Sequence, residues 1–253
     1  MQSKNKTVVR SMEILNLFIN HAKLTFNEII ELSGIPKTSV YRMLQSLEEM
    51  GLLDKDANGK YSLGILFLRF GHLVSERIDL RQVALPAMEK LHQDLGEAIN
   101  LIIRDGDEAV YIEKLQSIQP VRLYTTIGRR TPLYAGACAR AILSFLPPTE
   151  REDYLKRVEL TAYAKGTITS EEALRHSISE TRNKGYTVSF SELEDFTAAV
   201  GVPIFNHLGE VVAAISIAGI ETNYAEEHLA VFIPKAKEAA LDISLKLGYR
   251  PEV

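Results

Sequence analysis

Between Val40 and Met50 the apolar residues fall every three to four positions, at Val40, Met43, Leu44, Leu47 and Met50. That spacing draws one buried stripe along a helix. Ile35-Pro36 marks its start, because proline suits the first helical position and biases its predecessor toward extended geometry, and Gly51 supplies the stop. The face opposite the stripe carries Thr38, Tyr41, Arg42 and Gln45, with Lys37 and Ser39 at its edges. Upstream, Thr25-Phe26-Asn27-Glu28 has the order of a capping box and predicts a short helix with Ile29 and Leu32 inward, ended by a tight turn at Gly34. Val8, Met12, Leu15 and Phe18 predict a first helix that packs across both. Downstream, "LLDKDANGKYSLG" places two short apolar ends around Asn58-Gly59, a hairpin signal, with Lys55 and Lys60 near its tip. Three helices followed by such a hairpin define a winged helix-turn-helix. The second helix of the pair then suits the major groove of double-stranded DNA, where Arg42 and neighbouring polar groups can reach base edges.

The pattern changes after the hairpin. Leu66, Phe70, Leu73 and Val74 predict an amphipathic helix suited to linking domains and to pairing with a second copy. Asp79 can cap the next helix, which carries Val83, Met88, Leu91 and Leu95 and ends near Gly96. Beyond it, "AINLIIRDGDEAVYIEKL" predicts two strands around Asp105-Gly106, "VRLYTTI" a third, and "GVPIFNHLGEVVAAISIAG" a second hairpin turning at Asn206 to Gly209. Capping boxes are expected at Thr149/Glu152 and Thr169/Glu172, and Pro234 is expected to kink or break a C-terminal helix from Glu226 to Leu247. Hairpins imply an antiparallel sheet covered by helices, hence an α+β fold. The expected organisation is a DNA-binding domain over 1–66, a linker helix over 67–79 and a second domain over 80–253.

Two stretches of that second domain carry candidate chemistry. In "VVAAISIAG", Val211, Ala213, Ile215 and Ile217 share the face that looks like core. Val212, Ala214, Ser216 and Ala218 share a small, partly polar face that leaves room beside it. In "GRRTPLYAGACARAILSFLP", a run of small residues from Ala135 to Ala139 opens a helix. Unpartnered amides and partial positive charge at a helix start suit a carboxylate, here at Ala137 and Cys138. Arg129 and Arg130 can add charge beside that helix start, although two adjacent exposed arginines more often stand solvated or at an interface. The loop "GYTVSFSELEDFTAA" can close over a pocket with Ser189, Ser191 and Glu192.

Composition narrows the class. With a formal net charge of −4 over 253 residues the chain is not a generally basic nucleic-acid binder. Residues 1–66 hold 8 Lys/Arg against 7 Asp/Glu, and through Gln45 the balance is 6 against 3, so positive charge gathers at the helix pair. A weakly basic reader gains affinity by binding as a dimer. One cysteine excludes an intrachain disulfide and a multi-Cys zinc site, and six scattered histidines lack metal-ligand spacing. No metal, cofactor or catalytic residue is therefore expected. No apolar run reaches the ~18–20 residues needed to cross a membrane, and the N-terminus lacks a signal-peptide core, so a cytoplasmic location is expected.

In order and spacing, "GIPKTSVYRMLQSLEEMGLL", "YSLG", "PLYAGACARAILSFLP", "NKGYTVSFSELEDFTAAVGVPIF" and "VVAAISIAG" resemble the IclR family of bacterial transcription regulators over nearly the whole chain. The resemblance implies a winged-helix domain, a linker helix and a GAF-like effector domain, assembled as a homodimer or a dimer of dimers. It implies an operator affinity controlled by a small metabolite, commonly a carboxylate. By position it places effector contacts on the amides of Ala137 and Cys138 and on Ser189, Ala199, Ser216 and Ala218. Some relatives carry an acid at the place of Ser189 and a hydroxyl at that of Ala218, which makes Glu192 the acidic contact here. The wording of "RLYTTIGRRTPLYAGACARAIL" is similar to the branch that responds to sugar acids such as 2-keto-3-deoxygluconate. Two other classes stay open on the residues alone: a metabolite-processing enzyme fused to a DNA-binding domain, with Cys138 as nucleophile, and a ligand-independent architectural DNA-binding protein.

Overall fold

In the computed structural model, which describes residues 5–75, 79–119, 123 and 125–251, Asn5 opens the first helix by accepting from the amides of Thr7 and Val8. The chain divides into two units, Met1–Ile78 and Asp79–Val253. In the first unit α1 (Lys6–Leu17) buries Ile14 and Leu15, with Phe18 just beyond its end. Val8 and Met12, expected inward, are exposed because burial is confined to the last turns of the helix. The short strand β1 (Leu24–Thr25) leads into α2 (Phe26–Ser33) through a complete capping box, Thr25 Oγ1 taking the Glu28 amide at 3.3 Å and Glu28 taking the Thr25 amide at 2.7 Å. Ile29 is buried, but Leu32, also expected inward, is exposed. Gly34 holds the left-handed turn (φ 63°) before α3 (Lys37–Glu49).

The stripe of α3 buries Val40, Met43, Leu44 and Leu47, whereas Met50 forms the exposed C-cap rather than a fifth buried position. The wing consists of β2 (Leu53–Lys55) and β3 (Lys60–Leu63), with β1 added on the far side of β3. Asp56 closes the wing tip by accepting from the amides of Asn58 and Lys60, each at 3.0 Å. Then α4 (Leu66–Ser75) follows, with Leu68, Phe70 and Leu73 exposed and Leu66 half-buried. The side chain of Val74 lies outside the described residues.

The second unit is built on six antiparallel strands. They are β4 (Ala98–Asp105), β5 (Glu108–Leu115), β6 (Arg130–Pro132), β7 (Thr187–Phe190), β8 (Thr197–Phe205) and β9 (Val211–Ile220), in the order β6-β5-β4-β9-β8-β7. On one face α5 (Leu80–Leu95) and α9 (Glu226–Lys246) cover Ile99, Leu101, Val200, Ala213, Ile215 and Ile217. On the other, α6 (Ala137–Phe145), α7 (Pro148–Arg157) and α8 (Glu171–Lys184) cover Ile102, Ala109, Tyr111 and Ala214. The fold is α+β, as the hairpin signals predict.

Several local expectations change for physical reasons. A bulge between Ile204 and Phe205 shifts the β8–β9 register, so Val211 packs with the α6 side and Val212 with the α9 side. Alternation read from Val211 alone assigns both to the opposite faces. Neither expected capping box at the later helices forms: α7 starts at Pro147 without a side-chain cap, and α8 is capped by Ser170 Oγ, which accepts from Ala173. Helix α9 continues through Pro234. The strand expected at "VRLYTTI" falls partly outside the described residues, and the edge strand that is seen lies later, at Arg130–Pro132.

Candidate functional site

On the first unit, Lys37, Thr38, Tyr41, Arg42 and Gln45 are exposed on α3, Ser39 is half-buried, and Lys55 and Lys60 are exposed on the wing. Tyr41 meets the Phe26 ring edge-on at 6.4 Å, Lys37 Nζ sits 5.9 Å from the same ring, and Lys55 Nζ sits 5.2 Å over Tyr61. These ring contacts hold the cationic and phenolic groups outward from the buried stripe. Gln45 donates to Glu49 at 3.2 Å, while Arg42 has no ion pair among the described residues. Five donors of different reach, Lys37, Thr38, Tyr41, Arg42 and Gln45, thus stand exposed on α3.

On the second unit a cavity of about 40 Å³ lies between the first turn of α6 and the sheet. All seven effector residues expected from the sequence border it: Ala137, Cys138, Ser189, Glu192, Ala199, Ser216 and Ala218. Gly136 makes the entry to α6 possible with φ 85°, and Gly201 lets β8 run directly beneath it. A Cβ at Gly201 would come within 2.5 Å of the Ala137 carbonyl carbon. The small-residue face of β9 lies in the cavity wall through Ser216 and Ala218. Across the sheet Asn100 pairs with Ser216 and donates to its Oγ at 3.3 Å, both side chains being buried.

The helix start is only partly free. The Gly136 amide donates to Glu192 at 2.8 Å and the Ala137 amide to Ser189 Oγ at 3.1 Å. The Cys138 and Ala139 amides have no partner among the described residues. Glu192 is moreover ion-paired with Arg140, which also donates to the carbonyls of Val188 at 3.0 Å and Tyr134 at 3.4 Å. Arg140 is 2% exposed and Glu192 6%, so this is a charge pair sealed inside the unit. Glu192, expected as the acidic contact for an effector, therefore spends its carboxylate on Arg140 and Gly136. Thr131, 4% exposed, lines the cavity with an Oγ1 that has no hydrogen-bond partner among the described residues.

The sequence does not single out Asn100, Tyr111, Thr131 or Arg140 as site residues, and it leaves Arg129 between a charge for the site and a solvated position. Two of them carry a signal there: Asn100 interrupts the apolar run "AINLII", and Arg140 interrupts "GACARAIL". Burial pushes the Tyr111 hydroxyl up to about 12, and it pushes the Cys138 thiol up to about 12, against the smaller lowering effect of its hydrogen bond to Ser216. A thiol held protonated at neutral pH is a poor nucleophile. Among the described residues no cluster of His, Cys, Asp or Glu has the geometry of a metal site.

A winged helix-turn-helix followed by an antiparallel domain with an internal cavity defines a class: DNA-binding regulators with a ligand-binding domain. Residues 7–57 match the IclR helix-turn-helix domain, and residues 72–245 match the bacterial transcriptional regulator IclR C-terminal domain. The chain is 57% identical to the HTH-type transcriptional regulator KipR of Bacillus subtilis (strain 168) over 249 residues, 98% of this chain and 100% of that one. The crystal structure of Thermotoga maritima IclR aligns with a TM-score of 0.66 and 33% identity over 96% of this chain and 99% of that one. An IclR homologue from Microbacterium hydrocarbonoxydans, solved in complex with 4-hydroxybenzoate, aligns with a TM-score of 0.60 and 26% identity over 96% and 99%. The chain belongs to the IclR family. It is a DNA-binding transcription regulator, and not an enzyme. No described helix is long and apolar enough to cross a membrane.

Proposed function

We propose that this regulator controls its operator affinity through a small carboxylate bound in the cavity beneath α6. Thr131 carries the reading: a buried hydroxyl without a partner among the described residues, in a cavity lined as well by Cys138 and Ala139, whose helix-start amides are likewise without one among them. Buried polar groups without partners are rare, and a ligand that accepts from them offsets their desolvation. Ser216 and Asn100 give hydroxyls of the ligand a polar wall, and Ala199 and Ala218 leave the space. At about 40 Å³ the cavity takes a short acid as it stands, and a sugar acid requires its mouth to widen. The carboxylate bound by the 4-hydroxybenzoate homologue supports the chemical class. A thermal-shift screen of short carboxylates and sugar acids, followed by operator binding with each hit, tests it. A hit that stabilises the protein and changes operator affinity is expected, and stabilisation by none of them removes the proposal.

The DNA-facing set is Lys37, Thr38, Ser39, Tyr41, Arg42 and Gln45 on α3, with Lys55 and Lys60 on the wing reaching phosphates. Arg42→Ala is expected to weaken operator binding by about 1–3 kcal/mol per half-site at matched salt, with the fold intact. Unchanged affinity would remove Arg42 from the interface. The working form is a homodimer or a dimer of dimers acting in the cytoplasm, with residues 1–66, 67–79 and 80–253 as reader, linker and effector domain. Leu66, Phe70, Leu73 and Val74 are the pairing positions, and of these Phe70 and Leu73 are exposed on α4. Light scattering should show at least a dimer at micromolar concentration, and Phe70→Asp combined with Leu73→Asp should shift it toward monomer and weaken operator binding. A wild-type monomer with full operator affinity contradicts the assignment.

A further inference from the structure

Resting on the reading of the cavity as a carboxylate site, we propose that Arg129 is the residue that takes the ligand's charge, exchanging Glu194 for it. Arg129, just ahead of β6, and Thr131 within it are two residues apart and both line the cavity, while Arg130 between them pairs with Asp105 and Glu108. The exposure gradient places Arg129 at the rim: its side chain is 25% exposed and that of Glu194 44%, against 4% for Thr131 deeper inside. Arg129 Nη1 donates to Glu194 at 2.7 Å, its only side-chain hydrogen bond among the described residues. The rest of the guanidinium fork is left for a second acceptor, and the Tyr111 ring centroid lies 5.9 Å from Cζ. Arg140, the other arginine near the cavity, gives Nη1 and Nη2 to Glu192 and two carbonyls; its Nε has no partner among the described residues, but Arg140 does not line the cavity.

Glu194 is the ligand's competitor. It sits on the turn between β7 and β8, bounded by two non-glycine residues in the left-handed region, Ser191 (φ 49°) and Phe196 (φ 61°). Ser191 pins this turn from outside by donating to Glu221 at 2.6 Å and accepting from the Phe196 amide at 2.9 Å. On its inner side Leu193 rests against Gly136 and Glu194 spans to Arg129. A half-exposed single-contact ion pair is weak, and a carboxylate entering between its members can take the fork in two-point contact. Exchange then binds the acid at the rim and frees the inner side of the turn, which widens the mouth.

The test measures full-length protein with acetate, lactate, pyruvate, D-gluconate and 4-hydroxybenzoate, and with lactamide as neutral control, by thermal shift and calorimetry. Arg129→Gln and Glu194→Gln both abolish the ion pair, so a merely structural pair moves both variants the same way. The exchange moves them oppositely. An acid that binds wild type should bind Glu194→Gln about tenfold tighter and Arg129→Gln about tenfold weaker, the scale of one charge-assisted hydrogen bond, with Arg129→Lys between. Lactamide affinity should be the same in all four proteins. An acid that binds wild type and Arg129→Gln equally overturns the role of Arg129 and leaves the cavity reading standing. No binding of any acid to wild type or to Glu194→Gln overturns both.

Discussion

Arg140→Met is expected to lower the Tm of the effector domain by about 10 °C. The guanidinium is 2% exposed and its partner Glu192 6%, so removing the cation leaves an anion sealed in a low-dielectric interior. Breaking a buried pair from one side costs about 3–5 kcal/mol, and in a domain of this size each kcal/mol lowers Tm by about 2–4 °C. Arg140 also donates to the carbonyls of Val188 and Tyr134, so the loss reaches β7 and the segment ahead of α6. Glu192→Gln added to Arg140→Met should recover most of the loss. The Gln carbonyl still accepts from the Gly136 amide, where Glu192 accepts now at 2.8 Å, and the orphaned charge is gone. Thermal denaturation of both variants decides it. A single variant that loses less than about 1 kcal/mol would mean that the pair is solvated.

That pair also marks where the sequence stops being readable. The winged helix was legible because its signals are local: Thr25 and Glu28 close a cap within one turn, and the α3 stripe repeats every three to four residues. Its non-local feature, β1 joining β3, pairs Leu24 with Tyr61 across a long stretch of chain, and Val8, Met12, Leu32 and Met50 stand exposed where the periodicity alone turns them inward. Arg140 and Glu192 are 52 residues apart, and nothing near either announces the other. In the sequence Glu192 looked available to a ligand, and only the tertiary contact shows its carboxylate occupied.

Arg129 and Arg130 illustrate a second limit. Side by side they read alike, and the sequence places a third strand at "VRLYTTI", ahead of both. Once β6 is placed at Arg130–Pro132, the period of two separates them, one facing the cavity and one facing Asp105 and Glu108. Thr131 depends on the same register, as its unpartnered hydroxyl has meaning only beside the start of α6. By contrast, the small-residue positions Ala137, Ser216 and Ala218 were legible, since alternation in β9 and the run opening α6 are local patterns. Even there the bulge at Ile204/Phe205 reversed Val211 and Val212, because a single extra residue changes the phase of everything beyond it.

Ala137→Leu is expected to abolish ligand binding while leaving operator binding in place. Ala137 is the first residue of α6, is 2% exposed, and borders the cavity, with its amide tied to Ser189 Oγ at 3.1 Å and its carbonyl facing Gly201. The backbone there cannot retreat, since β8 lies against it. Three added carbons must therefore enter a cavity of about 40 Å³, where they displace whatever the Cys138 and Ala139 amides and Thr131 would hold. Overpacking of this kind costs about 1–3 kcal/mol, which a folded domain tolerates. Calorimetry with an acid that binds wild type should give no heat with the variant. Its operator affinity should match that of ligand-free wild type and stay there when the acid is added. Ser216→Ala serves as the graded control, since losing one neutral hydrogen bond weakens the same acid by only about 0.5–1.5 kcal/mol. An Ala137→Leu protein that keeps its Tm and binds the acid with wild-type affinity would place the ligand outside this cavity.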